Sequence, residues 1–222
     1  VDTHHRRFQD DLDQLKGRLL EMGGLAEERL LSVIRALVGR DTEGLARVAS
    51  GDEPLNALHR EIDDRAFKLL ALQQPLAADL RTIVAAVKIN TDIERIGDLA
   101  VNIAEASSRY LTHPPVKDLV DIPLMGDLAQ KMVQDALDAF VRGDQDLARD
   151  VLNRDDQLDG LKSRVFRDLL GLMLTDQAKV KPSLDLILIS RHLERIGDHA
   201  TNIAEDVIFM VSALDVRHTG AP

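Results

Sequence analysis

The chain has no cysteine and no tryptophan, one tyrosine, and only 3 % aromatic residues. Without cysteine there are neither disulfides nor thiolate metal sites, and a reducing cytoplasm is the natural setting. No stretch approaches the ~18 consecutive apolar residues that a membrane-spanning helix needs. Val1-Asp2-Thr3-His4-His5-Arg6-Arg7 leads into a charged helix and lacks the apolar centre of a signal peptide. Positive charge is also short: 28 Lys and Arg against 38 Asp and Glu give a net charge of −10. That argues against nucleic acid as a partner, because phosphate backbones need clustered Lys and Arg. What remains is rich in Leu, Ala, Val and Ile. Fractions of 45 % hydrophobic and 30 % charged residues describe a folded, soluble chain packed by aliphatic helical seams.

One string occurs twice. Glu94 to Glu105 reads E-R-I-G-D-L-A-V-N-I-A-E, and Glu194 to Glu205 reads E-R-I-G-D-H-A-T-N-I-A-E, with ten of twelve positions identical. This is an internal repeat, and 222 residues accommodate two halves of similar size.

Apolar residues recur at steps of three and four throughout, and no useful stretch alternates with period two. Phe8, Leu12, Leu15, Leu19, Met22, Ala26, Leu30, Val33 and Leu37 predict a first helix over about 4–39, softened or bent at Gly23-Gly24. A second helix reaches about Leu72, and a third runs from about Leu76 to Leu111, after Pro75. His113-Pro114-Pro115 forms the linker, which puts the boundary between a domain of residues 1–113 and one of 114–222. The second half repeats the plan: a helix from near Pro123 to Gly143, another over about 144–173, and a last one opening at Ser183 as N-cap, with a seam from Ile189 to Leu214. Six helices in two tandem three-helix bundles, all-α and coiled-coil-like in packing, are expected.

Inside each copy a Glu and an Asp stand four apart, Glu94 with Asp98 and Glu194 with Asp198. On a helix they share one face, their Cβ atoms roughly 6 Å apart. At about 100° per residue they lie nearly opposite Ile93, Ile96, Ala100 and Ile103, which predicts a surface stripe together with Asn102 and Glu105. Most charged outer faces do nothing, and Arg95 and Arg195 could neutralise this one as ordinary ion pairs. Yet packing alone would preserve the seam and let the outer face drift, whereas the repeat is densest at the stripe.

A fainter echo brings Asp52-x-x-x-Asn56 into register with Asp155-x-x-x-Asp159, on helices that would neighbour the motif helices. Such oxygen donors suit Mg, Mn or Fe, with Zn possible. His59 and Lys162 alternate at matching positions, which weakens any requirement for nitrogen ligands. Gly97 and Gly197 cost ~1 kcal/mol each in mid-helix relative to Ala and are read as points of close helix approach. His192 and His199 have no counterparts in the first copy and are read as incidental.

With L-L-E-M-G-G-L-A-E at Leu19–Glu27, Q-Q-P-L-A-A-D-L-R at Gln73–Arg81 and the doubled E-R-I-G-D, the chain resembles the PhoU family over nearly its whole length. The resemblance implies a cytoplasmic, all-helical regulator of phosphate homeostasis. It would repress phosphate-starvation signalling and uptake by linking the ATPase of the phosphate ABC transporter to a sensor histidine kinase, and it is compatible with a homodimer. Some members bind metal clusters on E(D)-x-x-x-D motifs. These fall on Glu94/Asp98 and Glu194/Asp198, with Asp52/Asn56 and Asp155/Asp159 as partners, and Asn56 departs from a carboxylate. Two other classes compete: a metal-dependent phosphohydrolase or metal-storage bundle, and a scaffold whose acidic stripe docks basic proteins without metal.

Overall fold

The computed structural model describes residues 2–51, 53–73 and 75–214, with side chains assigned outside positions 2–5 and 73. Among the described residues the chain is all-helical. Its helices are α1 (Asp2–Gly39), α2 (Thr42–Ser50), α3 (Glu53–Gln73), α4 (Ala77–Leu111), α5 (Asp121–Arg142), α6 (Gln145–Asn153), α7 (Asp155–Thr175) and α8 (Val180–Ser212), with a 3-10 turn at Gln177–Lys179. The six expected helices are present, the second of each set being divided into a short and a long segment. The break falls near Gly51 in one half and at Arg154 in the other.

The linker lies over 112–120, where Pro114 and Pro115 deny the chain a helical continuation. Ser183 is not an N-cap. The last helix begins at Val180, Lys179 occupies the cap position, and Ser183 is buried inside the helix. Pro182 is tolerated because the first N–H groups of a helix have no partner within it. The seam also stops short of Leu214, because α8 ends at Ser212 with Ala213 in the left-handed conformation.

The halves are related by a local two-fold, with equivalent residues 103 apart between α1–α3 and α5–α7 and 100 apart between the motif helices α4 and α8. α1 ends on left-handed Arg40 and α5 on left-handed Gly143. Arg40 lacks glycine's freedom, and its guanidinium donates to the carbonyls of Leu111 and His113 at 3.1 and 2.9 Å. Asp41 and Asp144 then cap α2 and α6 in the same way, accepting from backbone N–H groups in each first turn.

Where α1 crosses α5, the glycines interlock. A Cβ on Gly126 would stand 2.9 Å from Ile34 Cγ1, and one on Gly23 would collide with Leu137. Each glycine thus receives the residue equivalent to the other's partner. Gly23 therefore serves close packing, and α1 runs through Gly23-Gly24 without interruption. On the axis, Gln130 Nε2 donates to its own counterpart Glu27 at 2.7 Å.

The central contact joins α4 to α8, the two motif helices, with α3 beside α4 and α7 beside α8. Lys88 pairs with Asp206 at 2.9 Å, His199 with Asp92 at 2.8 Å and Arg109 with Asp185 at 3.0 Å. These pairings make the two helices antiparallel and set both motifs at the same level. The buried residues of both halves form one continuous apolar core.

Candidate acidic site and its relatives

α4 and α8 are unbroken through their motifs, so Glu94 with Asp98 and Glu194 with Asp198 lie one turn apart on single helices. What brings a second helix to them is the glycine between. An ideal Cβ at Gly97 would sit 2.9 Å from Leu55 Cδ1 on α3, and at Gly197 it would strike Leu158 on α7. Both glycines therefore answer to close helix approach, as their spacing predicted. Leu55 and Leu158 are equivalent, and each docks its helix at the motif.

That approach alters the expected surface stripe. Asn102 and Glu105 are exposed, but the side chains of Glu94 and Glu194 keep only 22 % and 20 % of their exposure. A neighbour admitted by glycine covers the residue three positions earlier, so the glutamates lie in the interhelical groove rather than on an open face.

In the second half the carboxylates form a cluster. Burial pushes the Asp155 carboxyl above its ordinary value, and Asp159, Asp156 and Glu194 push it further. Burial raises Asp198 as well, followed by the charges of Glu194, Asp155 and Asp159. All four expected residues thus share one field, and Asp156 joins them without having been singled out. Lys162, one turn along α7, donates to Asp159 Oδ1 at 2.8 Å and Glu194 Oε1 at 2.5 Å. Hydrogen bonds to these two carboxylates raise its own pKa. The neutralising cation is therefore Lys162 from the adjacent helix, in place of the expected Arg195.

The first half differs. Arg95 does approach its neighbours, at 3.6 Å from Glu94 and 3.4 Å from Asp98. Asp52 lies outside the described residues, so its place in the site is not described; Asn56 is engaged in contacts. Arg29 reaches in from α1, its Nη1 3.6 Å from the position of a Gly97 Cβ, and it also donates to the Gly51 carbonyl. Its counterpart in the second half is Met132, whose Cε stands 3.6 Å from the corresponding point at Gly197. Arg29 was not visible as a site residue, because its relation to the motif depends on how α1 crosses α4.

His199 is not incidental: its ring bonds Asp92 and ties the two motif helices together. His192 is half-buried, its Nδ1 has no hydrogen-bond partner among the described groups, and burial followed by Arg195, Arg191 and Arg109 holds its pKa down.

Chemically, the site offers oxygen donors of the kind that suit hard cations. As arranged, no three described acid or histidine side chains converge tightly enough to enclose an ion, and Lys162 stands between two of the four carboxylates.

A model of the PhoU domain matches twice, over residues 19–107 and 122–207. The chain is 39 % identical over 221 residues to a phosphate-specific transport system accessory protein PhoU homolog of Pseudomonas putida, covering 98 % of this chain and 86 % of that one. The same-named protein of Clostridium acetobutylicum is 38 % identical, with 94 % and 96 % covered. The crystal structure of PhoU from Pseudomonas aeruginosa superposes with a TM-score of 0.88 at 38 % identity over 93 % of this chain and 100 % of that one. The phosphate transport system regulatory protein PhoU from Streptococcus pneumoniae gives 0.86 at 27 % identity over 94 % and 99 %. With both halves matched and relatives covered nearly end to end, the chain belongs to the PhoU domain family.

Proposed function

We propose that this chain is a cytoplasmic regulatory accessory protein of phosphate transport, which restrains phosphate-starvation signalling and uptake. It would do so by linking the ATPase subunit of a phosphate ABC transporter to a phosphate-sensing histidine kinase. One observation carries the reading: the near-full-length likeness to accessory proteins of that transport system, spanning both repeats. No described helix is long and apolar enough to cross a membrane, so contact with a transporter would be made through protein surfaces. The two bundles, 1–113 and 114–222, would act as paired modules. Deleting the gene in its native host should release alkaline phosphatase from repression in high phosphate. Normal repression in the deletion strain would overturn the proposal.

The acidic sites are proposed to bind a divalent or trivalent cation, Mg, Mn, Fe or Zn. Asp155, Asp159, Glu194 and Asp198 would hold it in the second half, and Glu94 and Asp98 with Asn56 and Asp52 in the first. Such an ion supplies positive charge to a cluster whose burial and mutual repulsion disfavour ionisation. For the chain's own residues this requires Lys162 to leave Asp159 and Glu194. Elemental analysis after chelator-free purification should find metal in the wild type and none in the quadruple Glu94/Asp98/Glu194/Asp198→Ala variant. A metal-free wild type would reject the binding proposal while leaving the regulatory one standing. The role proposed is binding rather than catalysis. Two-metal hydrolysis needs ions ~3.5–4 Å apart with an open substrate position, and Lys162 fills part of the second cluster.

A further inference from the structure

Beside the second acidic cluster, α7 and α8 leave a groove of about 580 Å³ with Phe166 and Ile187 among its lining residues. Phe166 is 47 % exposed, and Leu170 and Leu174 follow it at i+4 and i+8 on α7, both exposed. On the antiparallel α8, Leu184 precedes Ile187 by three residues and is also exposed. These side chains make an apolar strip two turns long.

Arg167 and Arg191 line the same groove, and neither makes an ion pair or a hydrogen bond among the described residues. Two uncommitted guanidiniums beside an apolar floor are notable in a chain of net charge −10. The first half has an apolar strip of its own, with Phe67, Leu76 and Leu80 exposed. The cations of α3 beside it, however, are engaged: Arg65 with Glu61 and Lys68 with Asp64. The halves therefore share the apolar feature and differ in charge.

We infer that the α7/α8 groove is a docking site for an amphipathic helix of another protein, one that carries Asp or Glu along the edges of its apolar face. Apolar side chains spaced at i, i+3, i+4 and i+7 would cover Phe166, Leu170 and Ile187. The acidic flanks would pair with Arg167 and Arg191, giving orientation and discrimination against basic helices. This inference goes beyond the phosphate-signalling reading and does not depend on it, since it rests only on the chemistry of the groove.

The test is a selection on the full chain, using a displayed library of amphipathic helices with a fixed leucine stripe and randomised flanking positions. Enriched helices should carry Asp and Glu at the flanks and bind the Phe166→Asp variant about tenfold more weakly or worse, a loss of ~1.4 kcal/mol. Phe67→Asp should leave their affinity unchanged. The Arg167→Glu/Arg191→Glu variant, altered only at exposed positions, should invert the preference and select Lys and Arg instead. Neutral or basic helices enriched on the wild type, no enrichment at all, or equal binding to Phe166→Asp would each overturn the inference. So would sedimentation showing a dimer that Phe166→Asp dissociates, because the occupant would then be a second copy of this chain.

Discussion

The two motifs are ten-twelfths identical in sequence, yet the sites built on them are not alike. Around Glu194 gather Asp198 from the same helix and Asp155, Asp156, Asp159 and Lys162 from the neighbouring one. Beside Glu94 stand Asp98 and Arg95 from the same helix, with Arg29 reaching in from α1. The same divergence appears in a second pair of equivalent positions. Arg18 bonds Glu61 at 3.0 Å, and in the other half Asp121 meets Arg164 at 3.3 Å with the signs reversed. Apolar packing and backbone geometry are thus held in common, while charge is free to change provided each partner changes with it. A duplicated fold is kept by what fills its core and varied by what lines its grooves.

The largest effects should test the part held in common. Leu55→Ala and Leu158→Ala each remove a buried side chain that meets a motif glycine, and each should cost about 3 kcal/mol of unfolding free energy. Urea midpoints that differ widely between the two would break the claim that both motifs are docked alike. Filling the glycines comes next. Gly197→Val and Gly97→Val should each lose about 2 kcal/mol by overpacking, Gly197→Val the more, because Leu158 stands closer than Leu55.

Charge differences should be smaller. Lys162→Met leaves Asp159 and Glu194 without their shared cation and should cost about 1 kcal/mol for a partly covered pair. His59→Met, at the equivalent position, should cost less, since His59 stands 3.9 Å from Asp63. A cost for His59→Met matching that of Lys162→Met would remove the asymmetry.

The smallest effect is a pH dependence from the second acidic cluster. Asp155 and Asp198 have folded pKa values raised by burial and then by neighbouring acids. Their ionised forms therefore oppose folding above the folded pKa, and that opposition fades as pH falls through the window between folded and unfolded values. Asp155→Asn/Asp198→Asn should be more stable than wild type at neutral pH by a few tenths of a kcal/mol. The advantage should shrink on acidification through the carboxylate range. A gap that widens on acidification would show the sign to be wrong.

The seam spacing made the helical architecture legible, because burial follows a 3.6-residue period and the prolines mark where it stops. Gly97 and Gly197 were legible too, since close approach offsets their cost in a helix. The helix starts were less so. Ser183 looks like a cap beside Pro182, but proline fits a first turn as readily as it precedes one. The two glutamates of the stripe were misplaced for a related reason. A helical wheel knows one helix, whereas the cover over Glu94 and Glu194 comes from a second. Arg29 and the Lys162 bridge belong to the same class, being facts about which helices meet rather than about spacing along any one of them.

Arg40 and Gly143 show where such divergence leads. Both turn the chain with a left-handed residue, but only one does so without strain, and the other is held by bonds to the Leu111 and His113 carbonyls at the start of the linker. In an association of two identical subunits, every substitution would appear on both sides at once. Joined in one chain, each half can accept a change alone, and an arginine may stand where its twin keeps a glycine. Fusion thus lets a symmetric scaffold acquire a front and a back.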